Sequence, residues 1–107
     1  NHVDALNNVG NIYLRERDVD RAIRAYMRVL KIDPQYARAH HNLGNAHVLL
    51  GEVESAIRAF RLAIEMDSSY VAPKSMLKKL YELGYSNAKL NSISEGVEEL
   101  SKASTEQ

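Results

Sequence analysis

Cysteine is absent from the 107 residues, which removes disulfides, thiolate nucleophiles and cysteine-ligated zinc together. A small secreted scaffold held by disulfides is excluded, and the core must hold by packing alone. Net charge is also missing: 14 Lys and Arg balance 14 Asp and Glu. No overall field therefore draws the chain to nucleic acid or to an anionic membrane. No apolar run approaches the roughly 18 residues that would span a bilayer, and the first residues carry no signal-peptide pattern. The expectation is a cytoplasmic protein with no nucleic-acid or membrane partner. Gly-x-Ser-x-Gly, His-Glu-x-x-His, phosphate-loop and dinucleotide fingerprints are all missing, so no enzyme activity, catalytic residue or cofactor is expected. His40, His41 and His47 are one, six and seven apart, whereas ligand pairs on one helix face sit three or four apart, so no metal site is expected either.

What is present is a repeat. Residues 3–36 laid over 37–70 match without a gap, with eleven identities: Ala5/Ala39, Asn8/Asn42, Gly10/Gly44, Asn11/Asn45, Val19/Val53, Ala22/Ala56, Ile23/Ile57, Arg24/Arg58, Ala25/Ala59, Asp33/Asp67 and Tyr36/Tyr70. Pairs such as Tyr26/Phe60 and Leu30/Ile64 keep apolar character at the same offsets. Within each unit apolar residues recur three and four apart over two stretches, which predicts two helices, about 3–16 and 19–31 in the first. Arg17-Asp18 and Gly51 mark the turns inside the units, and Pro34 and Asp67-Ser68-Ser69 mark the turns after them. Glycine inside a helix costs roughly 1 kcal/mol relative to alanine. Its recurrence at Gly10 and Gly44 therefore implies close helix contact, expected against Ala22 and Ala56.

These residues resemble the tetratricopeptide-repeat family, carried by Val9-Gly10, Tyr13, Ala22, Tyr26, Val29 and Pro34, then by Leu43-Gly44, His47, Ala56, Phe60 and Ala63. Leu6 and His40 stand where the family often has Trp, and Ser68 stands for the second Pro. The resemblance implies an all-α fold, an α-solenoid of three antiparallel helix pairs wound as a right-handed superhelix. On this reading residues 1–107 form one domain with repeats at 3–36 and 37–70. Residues 71–104 make a degenerate or capping pair, with one helix from Pro73 to about Leu83 ended by Gly84 and another from about Asn87.

The family uses the first helix of each pair to line a concave face. The resemblance thus implies a protein-interaction scaffold that holds a peptide or protein through Asn7, Asn8, Asn11, Arg15, Arg38, His41, Asn42, Asn45 and Lys79. The four asparagines at positions 8, 11, 42 and 45 can each donate and accept, which suits an extended peptide backbone. The charges of the family's carboxylate clamp are not reproduced, because Asn7, Ala72 and Met76 occupy its cationic positions. Alternative roles are a structural spacer that self-associates through its repeat ends, or the targeting arm of a larger enzyme. Arg21, Arg24, Arg28 and Lys31 form a basic stripe on the second helix, read as a solvated face.

Overall fold

The computed structural model describes residues 2–85. They form five helices: α1 (His2–Arg15), α2 (Val19–Ile32), α3 (Ala37–Leu49), α4 (Val53–Met66) and α5 (Val71–Glu82). Starts and ends recur at the 34-residue interval of the sequence: Val19 and Val53 open helices, Arg15 and Leu49 close them. The architecture is an all-α, tetratricopeptide-like solenoid. The expected helix from Asn87 lies outside the described residues. The chain divides into two compact units, Asn1–Leu77 and Lys78–Gln107.

In the first unit α1 packs on α2 and α3 on α4, while α2 also lies against α3. Burial follows the three-and-four spacing. On α2, Ala22, Ala25, Tyr26 and Val29 are buried, whereas Arg21, Arg24, Arg28 and Lys31 are exposed. Leu6, Ala22, Tyr26, Val29, Ala39, Leu43 and Ala59 form one apolar cluster through the two hairpins. Asp18 caps α2, its carboxylate accepting from Arg21 N at 3.3 Å.

Structure corrects the expected partner of the helix glycines. A methyl at Gly10 would lie 2.5 Å from Cε1 of Tyr26, and one at Gly44 would overlap the ring of Phe60. The nearest atoms belong to the aromatic rings of Tyr26 and Phe60, closer than Ala22 and Ala56. Each ring fills the space left by a missing Cβ one helix away.

Three helices end alike. At α1, Arg17 N–H donates to Leu14 O (3.0 Å) and Asp18 N–H to Tyr13 O (2.9 Å). Gly51 and Glu52 repeat this on Val48 and His47, and Gly84 and Tyr85 repeat it on Tyr81 and Leu80. This paired closure needs a left-handed residue. Gly51 (φ 77) and Gly84 (φ 103) supply it freely, but Arg17 holds φ 65 with a Cβ. Arg17→Gly is therefore expected to raise stability by about 0.5–1 kcal/mol and Gly51→Ala to lower it by about as much. Paired thermal melts check this, and equal signs for the two changes would refute it.

The turns between hairpins also repeat. Asp33 Oδ1 accepts from Gln35 N (3.1 Å), and Asp67 Oδ1 accepts from Ser69 N (3.0 Å) and Ser69 Oγ (2.6 Å). The Ser69 hydroxyl and amide hold the Asp67 carboxyl below its usual range. The periodicity of the fold is thus written in turns as well as in the core.

Candidate functional site

α1 and α3 lie on the same side of their hairpins and touch each other. Between them runs an open cavity of about 660 Å³. From α1 it is lined by Asn11, Leu14 and Arg15, with Arg17 from the turn; from α3 it is lined by Asn42, Asn45, Val48 and Leu49.

The polar atoms of its wall are fixed from behind. The Tyr26 hydroxyl donates to Asn11 Oδ1 at 2.6 Å, and burial pushes that phenol up to about 12, so it stays a donor. Asn11 Nδ2 is left to donate. Asn42 Nδ2 donates to Asn7 Oδ1 at 3.0 Å, which leaves Asn42 Oδ1 to accept. Asn45 Nδ2 lies 3.3 Å from His41 Nε2. Because an amide nitrogen can only donate, Nε2 accepts and Asn45 Oδ1 is left free. The amide nitrogen of Asn11 and the amide oxygens of Asn42 and Asn45 are therefore the ends left unengaged along the wall, with the apolar Leu14, Val48 and Leu49 beside them. Arg15 and Arg17 add positive charge at the α1 end, and neither makes an ion pair among the described residues.

The other residues implied by the sequence fall elsewhere. Asn7 is buried and serves as the acceptor for Asn42. Asn8 is exposed and outside the cavity lining. Arg38 Nη2 donates to Asp4 Oδ1 at 2.9 Å and to the Tyr36 hydroxyl at 2.7 Å, while the Tyr36 hydroxyl also donates to Asp4. Asp4 and Arg38 occupy one repeat position, so opposite charges at that position tie α1 to α3. Arg38 lines a separate cavity of about 390 Å³ with Tyr36, Asp67 and Tyr70. Lys79 is exposed on α5 in the second unit.

His41 is buried rather than presented on a surface. Its ring centroid lies 5.3 Å from Phe60 and 5.4 Å from Tyr70, and its Nδ1 has no hydrogen-bond partner. His40 and His47 are half-buried: His40 Nε2 meets the Pro34 carbonyl at 3.0 Å and His47 Nδ1 meets Glu52 at 2.8 Å. Among the described residues no three His, Cys, Asp or Glu converge as metal ligands.

Burial holds His41 below its ordinary value of 6.5. The folded state thus favours the neutral ring, and its contribution is complete above pH 6.5 and declines as pH falls from there. Wild type is expected to lose melting temperature between pH 7 and 5.5 more steeply than His41→Asn, which carries the residue found at the equivalent position 7. Parallel slopes would show that His41 does not titrate with folding.

Two helical hairpins of 34 residues, with an open groove between their first helices, define a helical-repeat fold. A sequence model described as a TPR repeat matches residues 10–51, and one described as a tetratricopeptide repeat matches residues 37–70. Together they cover residues 10–70, more than half of the chain, and the chain belongs to the tetratricopeptide-repeat family. No curated protein matches the sequence. Repeats of this family are generally protein–protein interaction modules and typically non-catalytic. Among the described residues no helix is long and apolar enough to cross a membrane.

Proposed function

We propose that the groove between α1 and α3 binds an extended peptide segment of a partner protein. The supporting observation is the committed polarity of its wall. Asn11 is left with a donor, and Asn42 and Asn45 are left with acceptors, because Tyr26, Asn7 and His41 occupy their other ends. An extended backbone offers carbonyls and N–H groups at short intervals to meet such a row, with affinity that tolerates varied sequence. Leu14, Val48 and Leu49 give side chains an apolar floor, and Arg15 with Arg17 favours an acidic residue at one end.

A peptide selected from a random display library on this chain, then made synthetically, tests the reading. Asn42→Ala/Asn45→Ala removes two acceptors and is expected to weaken binding about tenfold, at roughly 0.5–1.5 kcal/mol per hydrogen bond. Asn8→Ala, outside the lining, leaves affinity unchanged. Selected peptides that bind the double variant as tightly as wild type, with the fold verified by its helical signal, would place the binding site outside this groove.

A further inference from the structure

Arg17 lines the groove from a backbone conformation that favours glycine. Its φ is 65, and Gly51, at the same position of the next repeat, has φ 77. A Cβ is disfavoured in this region, so the turn would close more easily without one. Backbone strain of this kind clusters at ligand-binding sites. Here the side chain that comes with it is a guanidinium on the groove wall.

The charge on that wall is of one sign. Arg15 and Arg17 line the groove, and no Asp or Glu does. Asp18, next along the chain, is engaged elsewhere: it accepts from Arg21 N at 3.3 Å and pairs with the Arg21 guanidinium at 3.5 Å. Neither groove arginine pairs with a carboxylate among the described residues. With the unengaged Nδ2 of Asn11, the α1 side of the groove presents donors, whereas α3 presents the amide oxygens of Asn42 and Asn45. A neutral peptide could engage the asparagines, but it would bring no charged acceptor to the two guanidinium forks. A carboxylate matches such a fork two N–H groups at a time.

We propose that the groove selects an acidic peptide, and that Arg17, with Arg15 on the same wall, binds the carboxylate of an Asp or Glu side chain in the bound segment. The assignment rests on the groove binding a peptide, and it adds the class of partner. An extended segment lying along an open groove brings side chains past Arg17, so the carboxylate is a side chain's. The strained turn then has a function: glycine would relax it but would remove the group that reads the acid.

A random display library, its peptides joined to the carrier through their C-termini so that only side chains offer carboxylates, is selected in parallel on wild type and on Arg17→Gly. The wild-type pool is expected to be enriched in Asp or Glu at one position, and the Arg17→Gly pool to lose that enrichment. A wild-type-selected peptide is then made with a C-terminal amide, once as selected and once with that acid changed to its amide. Neutralising the acid is expected to weaken binding about fivefold on wild type and less than about twofold on Arg17→Gly and Arg17→Gln. Arg17→Gly relaxes the turn and Arg17→Gln keeps its strain, so the same change in both assigns the effect to charge. Arg17→Gly is expected to melt no lower than wild type, which separates the loss from unfolding. A pool without acid preference, or an equal loss on wild type and both variants, would overturn the assignment. Groove binding would survive that result if the selected peptides still lose affinity on Asn42→Ala/Asn45→Ala. Peptides that bind this double variant as tightly as wild type would overturn both.

Discussion

Gly44→Leu is expected to abolish cooperative folding of the described repeats. Even a single methyl at Gly44 would overlap the Phe60 ring, which has 0% exposure and cannot swing aside. Overpacking by one or two methylenes already costs about 1–3 kcal/mol. A leucine adds four carbons at a place with no room for the first. Total stabilities of domains this size are about 5–15 kcal/mol, so the loss is a large share. Thermal melting followed by helical signal checks it: an unchanged midpoint would remove the packing account of both glycines. A milder pair separates sterics from helix propensity. Gly44→Ala should be strongly destabilising alone, and Phe60→Leu should relieve part of it, so that the double variant loses less than the two singles combined.

Phe60→Ala carries the second large expected effect. The ring is among the largest fully buried side chains, lies over Gly44 and meets His41 at 5.3 Å. Truncation removes apolar contact and leaves a cavity beside a glycine that has no side chain to fill it, at a cost of about 3–5 kcal/mol. The same loss reaches the groove. His41 leans on Phe60 and accepts from Asn45, so a ring that shifts releases Asn45 from its fixed orientation. Chemical denaturation measures the stability term, and a loss under about 1 kcal/mol would contradict the burial argument.

Much of this fold is legible in the sequence because it is periodic. Expected helices at 3–16 and 19–31 are observed at His2–Arg15 and Val19–Ile32. The turn after each hairpin reads directly from Pro34 and from Asp67-Ser68-Ser69. What periodicity fixes is which face of a helix is covered; it does not fix which neighbour covers it. Hence the glycines were expected against alanines, and their nearest neighbours are the rings of Tyr26 and Phe60. His41 was expected on the inner face, yet Phe60 and Tyr70, distant in sequence, bury it. Arg17 shows the converse limit. It stands at the repeat position of Gly51 but is not glycine, so nothing in its identity announced a left-handed residue or its place on the groove.

The candidate site was legible in part for a related reason. Asn11, Arg15, Asn42 and Asn45 line the cavity together, since their spacing puts them on adjacent sides of α1 and α3. Asn7 shares the residue type and nearly the same face, but its neighbour across the repeat junction, Asn42, takes its oxygen. Which amide end remains for a ligand depends on Tyr26, Asn7 and His41, and those pairings arise only from tertiary packing.

The most direct test of groove binding is a two-dimensional NMR titration of labelled chain with a peptide selected on it, following the side-chain amide resonances of the asparagines. The account predicts large shifts at Asn11 Nδ2 and in the backbone of Asn45, Val48 and Leu49. Shifts confined to Arg24, Arg28 and Arg61 on the outer faces of α2 and α4, with the groove amides unmoved, would contradict it.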